Sequence, residues 1–358
     1  MTVQMAEAQT AEVQMKKTIE RFAEYLDKYD FEPVCRLLAQ MQKIIIVGHI
    51  APDGDSVGSA LGLAAGLRQL GKQVQVVFYD DIPRYLQFLP GADDVIKPGA
   101  VDEVFGQPDL LLLVDCATLD RTGGDWLERY LADAELMIID HHAMRDEIPA
   151  VSVIDPRVAA TAELIYLLLL RLGVEVNLPI ARCLYTALCT DTGGFRFTNT
   201  RVQTMHIAAE LLGKGIDLEE MRIQLFESRS YQHIRLLGQT LSNLHKTADN
   251  KIAWCWVDEE MRRTTGATTE DAGNISGSTM MLEGVKIGLF FDQRTADHVK
   301  VSFRGRNGYN VGKLAAQFGG GGHYAASGCT IKGTVAEVMP RVLDAARELL
   351  AETEAKKV

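Results

Sequence analysis

Residues 43–71 read KIIIVGHIAPDGDSVGSALGLAAGLRQLG. The opening run KIIIVGHI is continuously apolar, as a strand covered on both faces must be. From Asp55 or Ser56 the residues turn small and apolar, and Gly71 supplies a stop, which predicts a helix. Between strand and helix, His49, Asp53 and Asp55 share one short loop. Like charges crowded at one point repel, so this loop either opens to water or meets a cation.

The same alternation continues along the chain. QVQVVFY (73–79), PDLLLLVDC (108–116) and ELMIIDHH (135–142) read as strands, and TAELIYLLLLRLG (161–173), IARCLYTALCTD (180–191) and VQTMHIAAELLGKG (202–215) as helices. The stretch before Gln42 reads as amphipathic helix, with Ile19, Phe22, Leu26, Val34, Leu37 and Leu38 on apolar faces. This pattern predicts a doubly wound, mostly parallel sheet over residues 1–217, with N-terminal helices over 1–42. A helical connector follows over 218–246. Then KIAWCWVD, VKIGLFFD and HVKVSFRG read as strands, and EVMPRVLDAARELLAETEA as a final helix interrupted early by Pro340. Residues 247–358 are therefore expected to form a smaller α+β domain with a mixed sheet.

Bulk composition narrows the function classes. The 358 residues are 47% hydrophobic and 24% charged, as in soluble globular proteins. The net charge of −11 argues against a long basic track for duplex DNA, whose affinity comes mainly from Lys and Arg. A short anionic substrate held locally fits better. The six cysteines lie far apart without a C-x-x-C pair and read as core residues of a reducing cytosol. The acidic N-terminal stretch has no apolar core of a signal peptide, and LIYLLLL is too short to cross a membrane. A cytoplasmic protein without membrane attachment is expected.

Chemistry-bearing residues gather where the strands end. The first strand leads into His49, Asp53 and Asp55, the third ends in Asp115, and the fourth in Asp140, His141 and His142. Ligands of open α/β sheets bind beyond the carboxyl ends of the strands, which parallel strands bring to one edge. Asp191 closes a helix at its C-terminus, where a carboxylate meets the negative end of the dipole and calls for a cation. Oxygen-rich donors with some imidazole suit Mn²⁺ or Mg²⁺. Four carboxylates and two imidazoles exceed the needs of one ion, so two ions roughly 3.5–4 Å apart are expected. Each piece alone has a plain reading: DGD as turn and helix cap, DHH as a solvated loop. Their coincidence at one edge changes that reading. His206, His233, His245 and His298 read as ordinary packing or surface residues.

The ordered motifs GHIAPDGDSVGSALGL, VDCATLDRTG, IDHHAMRD, YTALCTDTGGFRFTNT and FGGGGHYAASGC resemble the DHH phosphoesterase family. They look most like its NrnA-like branch of bifunctional oligoribonucleases and pAp phosphatases. The motifs run from about residue 44 to 330. The resemblance implies two Mn²⁺, with Mg²⁺ or Co²⁺ as substitutes: one held by His49, Asp53 and Asp115, the other by Asp55, Asp115, His141 and Asp191. It implies that His142 faces the scissile phosphate and that Asp140 supports it from behind. It also implies that Arg304, Gly320, Gly321, Gly322 and His323 grip the substrate, since bare glycine backbone and an Arg–His pair suit a phosphate. Gly305 stands where the family often has Ser, and Ala325 where it often has a polar residue, which leaves substrate length open.

The expected activity is metal-dependent hydrolysis of short oligoribonucleotides to mononucleotides and of pAp to AMP, by in-line attack of water. Short RNA or DNA oligonucleotides and pAp are the expected substrates, and a homodimer is compatible with the family. Rival readings are a RecJ-like single-strand exonuclease, a cyclic or linear dinucleotide phosphodiesterase, an inorganic pyrophosphatase, and a nucleotide-sensing module without catalysis.

Overall fold

A computed structural model of the chain describes residues 2–142, 149–273, 275–306, 308–322 and 324–356. The chain divides into two compact units, Met1–Ser228 and Arg229–Val358.

In the first unit, α1 (Thr2–Leu26) and α2 (Glu32–Gln40) precede β1 (Lys43–Val47) and α3 (Gly54–Gln69). β2 (Gln73–Val77), the short helix α4 (Val101–Val104), β3 (Leu110–Val114), the short helix α5 (Glu128–Leu131), β4 (Glu135–Asp140) and β5 (Ser152–Ile154) follow. The unit ends with α6 (Thr161–Arg171), α7 (Leu178–Asp191), α8 (Val202–Leu212) and α9 (Leu218–Arg222). The five strands lie in the order β2-β1-β3-β4-β5, and every pairing is parallel. β5 is a strand that the apolar pattern does not announce, because it spans only three residues at the sheet edge.

Alternate residues of these strands feed two cores. Ile44, Ile46, Leu110, Leu112, Met137 and Ile139 pack with α1, α2, α3, α6 and α7. Ile45, Val47, Val77, Leu111, Leu113 and Ile138 pack on the opposite face with Val101, Leu127 and Tyr130. Burial on both faces explains the unbroken apolar runs. The N-terminal segment is two helices, and Phe22, Leu26, Val34 and Leu38 enter the first core. α3 begins one residue earlier than Asp55, because Asp53 takes the cap: its Oδ1 accepts the N–H groups of Asp55 and Ser56, both at 3.1 Å.

The second unit opens with α10 (Tyr231–Ser242) and continues through β6 (His245–Lys246), β7 (Ile252–Val257), α11 (Glu259–Thr265), β8 (Ile287–Thr295) and β9 (His298–Gly305). α12 (Val311–Ala316), β10 (Gly321–Gly322), β11 (Ala326–Lys332) and α13 (Val335–Ala355) complete it. Its six strands run β10-β11-β9-β8-β7-β6. Only β7 and β8 pair in parallel, so the sheet is mixed, as expected. Val299, Val301 and Phe303 face a core with Val338, Val342 and Ala346 of α13. α13 starts before Pro340 and passes through it without a break. A proline that near the N-terminus removes one intrahelical bond only, and the apolar face of the helix offsets the loss. Among the described residues, no helix is long and apolar enough to cross a membrane.

Candidate metal centre

The carboxyl edge of the first sheet gathers the donor side chains. His49 is 4% exposed, Asp55 and Asp115 1%, Asp140 0% and His141 6%, whereas Asp53 is open to water. Asp55, in the first turn of α3, points at the start of α6. Its Oδ2 accepts the N–H of Thr161 at 2.7 Å, and its Oδ1 accepts from Ala162 N at 3.2 Å and Ser59 Oγ at 2.8 Å. Orphan N–H groups and the positive end of a helix dipole thus hold a buried carboxylate.

Asp115 follows β3 with φ 54, in the left-handed region. Thr161 Oγ1 donates to its Oδ1 at 2.9 Å. The two carboxylate oxygens face different neighbours. Oδ2 lies 3.5 Å from His49 Nε2, and Oδ1 lies 3.6 Å from His141 Nε2. His49 Nε2 also stands 3.8 Å from Asp53 Oδ1. His141 Nε2 stands 3.6 Å from Asp55 Oδ2 and 3.8 Å from Asp191 Oδ2. Asp191 is the last residue of α7.

These separations exceed a hydrogen bond. They suit pairs of donors that share a cation about 2.0–2.2 Å from each. His49 Nδ1 lies 2.7 Å from the carbonyl of Ile50, and His141 Nδ1 3.5 Å from that of Val158. The close carbonyl partner of His49 assigns its proton to Nδ1 and leaves Nε2 for a cation. Among the described residues, donor atoms within 4.8 Å of one another form three groups: His49, Asp53 and Asp115; Asp55, His141 and Asp191; and Asp115, Asp140, His141 and His142. The donor set therefore fits hard divalent cations.

The charges tell the same story. Burial, and then the charge of Asp115, push the Asp55 carboxyl well above the usual range. Burial with Asp53 and Asp115 does the same to Asp191. Burial would raise Asp115, but the neighbouring His142, His49 and His141 imidazoles outweigh it and hold it well below that range. Burial would lower His49, but Asp115 and Asp53 raise it to about 10. By themselves the side chains relieve their crowding by taking up protons, and a divalent cation displaces those protons.

Asp140 has a different job. Its Oδ1 accepts both the backbone N–H and Nδ1–H of His142, each at 2.8 Å. Against the effect of burial, Asp115 and Asp140 raise His142 to about 11. Asp140 Oδ2 is buried without a hydrogen-bond partner among the described residues.

No motif in the sequence points to Thr161, Ser59 or Asn199. Asn199 Nδ2 donates to the carbonyls of Asp191 and Ala159, both at 3.1 Å. A Thr at a helix start is the one local signal for Thr161, and it reads as an ordinary cap. Of the histidines read as ordinary, His206 bonds Tyr25 and His233 the carbonyl of Asp271. His245 lies against Trp254 and Trp256, and His298 against Asp297.

In the second unit, Arg304 is half-buried and donates to the carbonyl of Phe303 at 3.0 Å. Gly321 and Gly322 form β10, paired with β11. A Cβ at Gly320 would stand 2.2 Å from the carbonyl oxygen of Gly328, and one at Gly322 2.7 Å from Ser327 Cα. Close approach to their own sheet already requires these two glycines. His323 lies outside the described residues.

The DHH family, N-terminal domain, matches residues 43–188, and the DHHA1 domain matches residues 237–352. The chain is 36% identical over 321 residues to the bifunctional oligoribonuclease and PAP phosphatase NrnA of Thermus thermophilus, covering 88% of this chain and 94% of that one. It is 28% identical to the Bacillus subtilis protein of the same name, over 83% of this chain and 91% of that one. Among solved structures, an exopolyphosphatase-related protein from Bacteroides fragilis superposes with a TM-score of 0.83 at 27% identity, covering 92% of this chain and 97% of that one. The order of motifs, the parallel sheet with its donors at one edge, and a relative of this identity over nearly the whole chain agree: the chain belongs to the DHH family.

Proposed function

We propose that this chain is a phosphoesterase that hydrolyses short oligoribonucleotides to mononucleotides and pAp to AMP, using two Mn²⁺. The observation that carries this reading is Asp115, whose two oxygens face two separate donor groups. His49, Asp53 and Asp115 would hold one cation, and Asp55, Asp115, His141 and Asp191 the other. A pair of divalent cations bound there would activate water at neutral pH and neutralise charge on the phosphoryl oxygens. Thr161 and the start of α6 hold Asp115 and Asp55 in place. His142, held by Asp140, orients the phosphate or donates a proton to the leaving oxygen. Residues 1–217 carry the chemistry and 218–246 connect it to 247–358, where Arg304, Gly320, Gly321, Gly322 and His323 receive the substrate. The names of the two NrnA relatives support the substrate class. Five of the six cysteines are buried thiols of the core, which suits a reducing, cytoplasmic setting.

The test is phosphate or mononucleotide release from pAp, a dinucleotide, pyrophosphate and a long single strand, each with Mn²⁺. The dinucleotide and pAp should be the best substrates; preference for the long strand or pyrophosphate would replace this reading with a rival. Removing a group that merely holds a metal ligand costs about 10–100-fold, so Asp115→Ala should cost at least about 100-fold on the dinucleotide, with the circular dichroism of the wild type. Near wild-type turnover by this variant would exclude the two-metal assignment.

A further inference from the structure

Two exposed aromatic rings stand on segments next to the donor cluster, one in the loop after Asp191 and one in the loop after β2, and the chemistry above uses neither. Phe197 is 57% exposed and Tyr79 53%. Each ring lies on a glycine. A Cβ at Gly193 would stand 2.4 Å from the Phe197 ring, and one at Gly123 would stand 2.2 Å from Tyr79 Cγ. Both glycines also have positive φ, 57 and 91. Each ring is thus seated on bare backbone and leaves much of its surface to solvent.

The seat of Phe197 is built directly on a donor. After Asp191 and Thr192, three successive residues, Gly193, Gly194 and Phe195, take positive φ of 57, 70 and 63. Such a run, with a phenylalanine in it, persists only where its surroundings over-determine it, and strain of this kind clusters at ligand sites. Here Thr192 supplies the hold: its Oγ1 accepts Phe195 N at 2.9 Å, and its carbonyl accepts Arg196 N and Phe197 N, both at 3.0 Å. Asn199 ties the same loop to the carbonyls of Asp191 and Ala159. Gly193 is two residues from Asp191, at most about 7 Å between Cα atoms. The glycine that seats the ring is therefore a near neighbour of that donor.

Tyr79 is placed in the same way from another side chain set. It follows β2 by two residues, and its neighbour Asp80 accepts the N–H of Ala51 at 2.6 Å, two residues beyond His49. The loop that contains Gly123 is tied to the His49 loop by Ile50 N donating to Arg121 O at 2.7 Å. Tyr79, in the segment after β2, therefore lies against Gly123 of the loop that follows Asp115, and both segments are tied to the His49 loop.

We infer that Phe197 and Tyr79 are stacking platforms for the nucleobases that flank the scissile phosphate. This rests on the phosphoesterase reading and adds to it what recognises the nucleosides. Every base has a π face, so a fixed ring grips any sequence without reading it. The two glycines of DRTGG and DTGGF are then explained by the rings that lie on them.

The test compares kcat/KM on adenylyl-adenosine and on an abasic dinucleotide of the same backbone, with Mn²⁺. Stacking on one ring is worth about 5- to 150-fold per base. Phe197→Ala and Tyr79→Ala should each lower the rate on adenylyl-adenosine by about that factor, and far less on the abasic substrate. Phe197→Trp should keep the activity, whereas Phe197→Leu, similar in bulk and without a π face, should not. Melting temperatures of the variants check folding. A ring whose removal costs nothing, or costs both substrates equally, is not a platform, and a Leu variant as active as wild type overturns the stacking argument. A wild-type chain inactive on both substrates removes the phosphoesterase reading itself, and this inference with it.

Discussion

Asp115 is a buried aspartate in a left-handed backbone conformation, between His49, His141 and His142. That conformation costs a non-glycine residue about 1–2 kcal/mol. It is tolerated because Thr161 and the imidazoles hold the carboxylate from several directions. Arg304 is the corresponding residue in the second unit. It is half-buried, and among the described residues it forms no ion pair, only the bond to the Phe303 carbonyl. Burial lowers its pKa, yet a guanidinium stays charged. A hydrogen bond to a charged phosphate contributes about 1.5–3 kcal/mol, or roughly 10- to 150-fold in rate. Arg304→Ala should therefore reduce kcat/KM on pAp or a dinucleotide by about that factor. Hydrolysis of bis(p-nitrophenyl) phosphate, which lacks a nucleotide end, should fall much less. Equal losses on both substrates in a well-folded variant would place Arg304 in the chemical step instead.

At the scale of elements, the contact between α3 and α7 sets the geometry of the centre. Gly54, Gly58, Gly62 and Gly66 recur every four residues and form one ridge of α3. A Cβ at Gly54 would stand 2.3 Å from Thr190 Oγ1, and one at Gly58 2.4 Å from the carbonyl oxygen of Cys183. At Gly62 the obstacle is Leu184 Cδ2 at 2.8 Å, and at Gly66 it is Leu169 Cδ2 at 2.4 Å. Bare glycines at 54, 58 and 62 let α3 lie against α7, and Gly66 lets it meet Leu169 of α6; the first of these contacts brings Asp55 near Asp191. Gly58→Ala meets backbone that cannot rotate away. Overpacking costs about 1–3 kcal/mol, and better helix propensity returns up to about 1 kcal/mol. Urea unfolding should show net destabilisation and activity should fall with it. Gly62→Ala meets the flexible end of a leucine and should cost less. A fully stable Gly58→Ala would mean that this ridge does not set the helix spacing.

For the whole molecule, the donor cluster couples metal binding to stability. Asp55 is buried and Asp191 half-buried beside Asp115, and all three repel one another without a cation. A ligand bound only by the folded state, at 100 times its Kd, stabilises by about 2.7 kcal/mol. For a unit of this size that corresponds to a rise in Tm of about 5–10 °C. Mn²⁺ should produce such a rise, and a chelator should reverse it and abolish activity. Tm and activity both indifferent to chelator would show that the acidic cluster holds no metal.

Sequence alone determined the fold class and the membership of the cluster's edge. Apolar runs define strands, and parallel strands bring their carboxyl ends to one side whatever their order. His49, Asp53, Asp115 and Asp140 could therefore be placed together without knowing which strands are neighbours. The strand order, with β5 at the edge, came only from the structure. Tertiary packing also decided which oxygen faces which imidazole. Thr161 is 46 residues from Asp115 and 106 from Asp55, yet it bonds both. No local pattern carries a contact at that distance, because it depends on how α6 packs on the sheet. The glycine run at 320–322 reads as an open ligand loop in sequence, whereas β11 fills the space beside it. Glycine signals only that something comes close; whether that is a ligand, a neighbouring strand or an aromatic ring is settled by the fold around it.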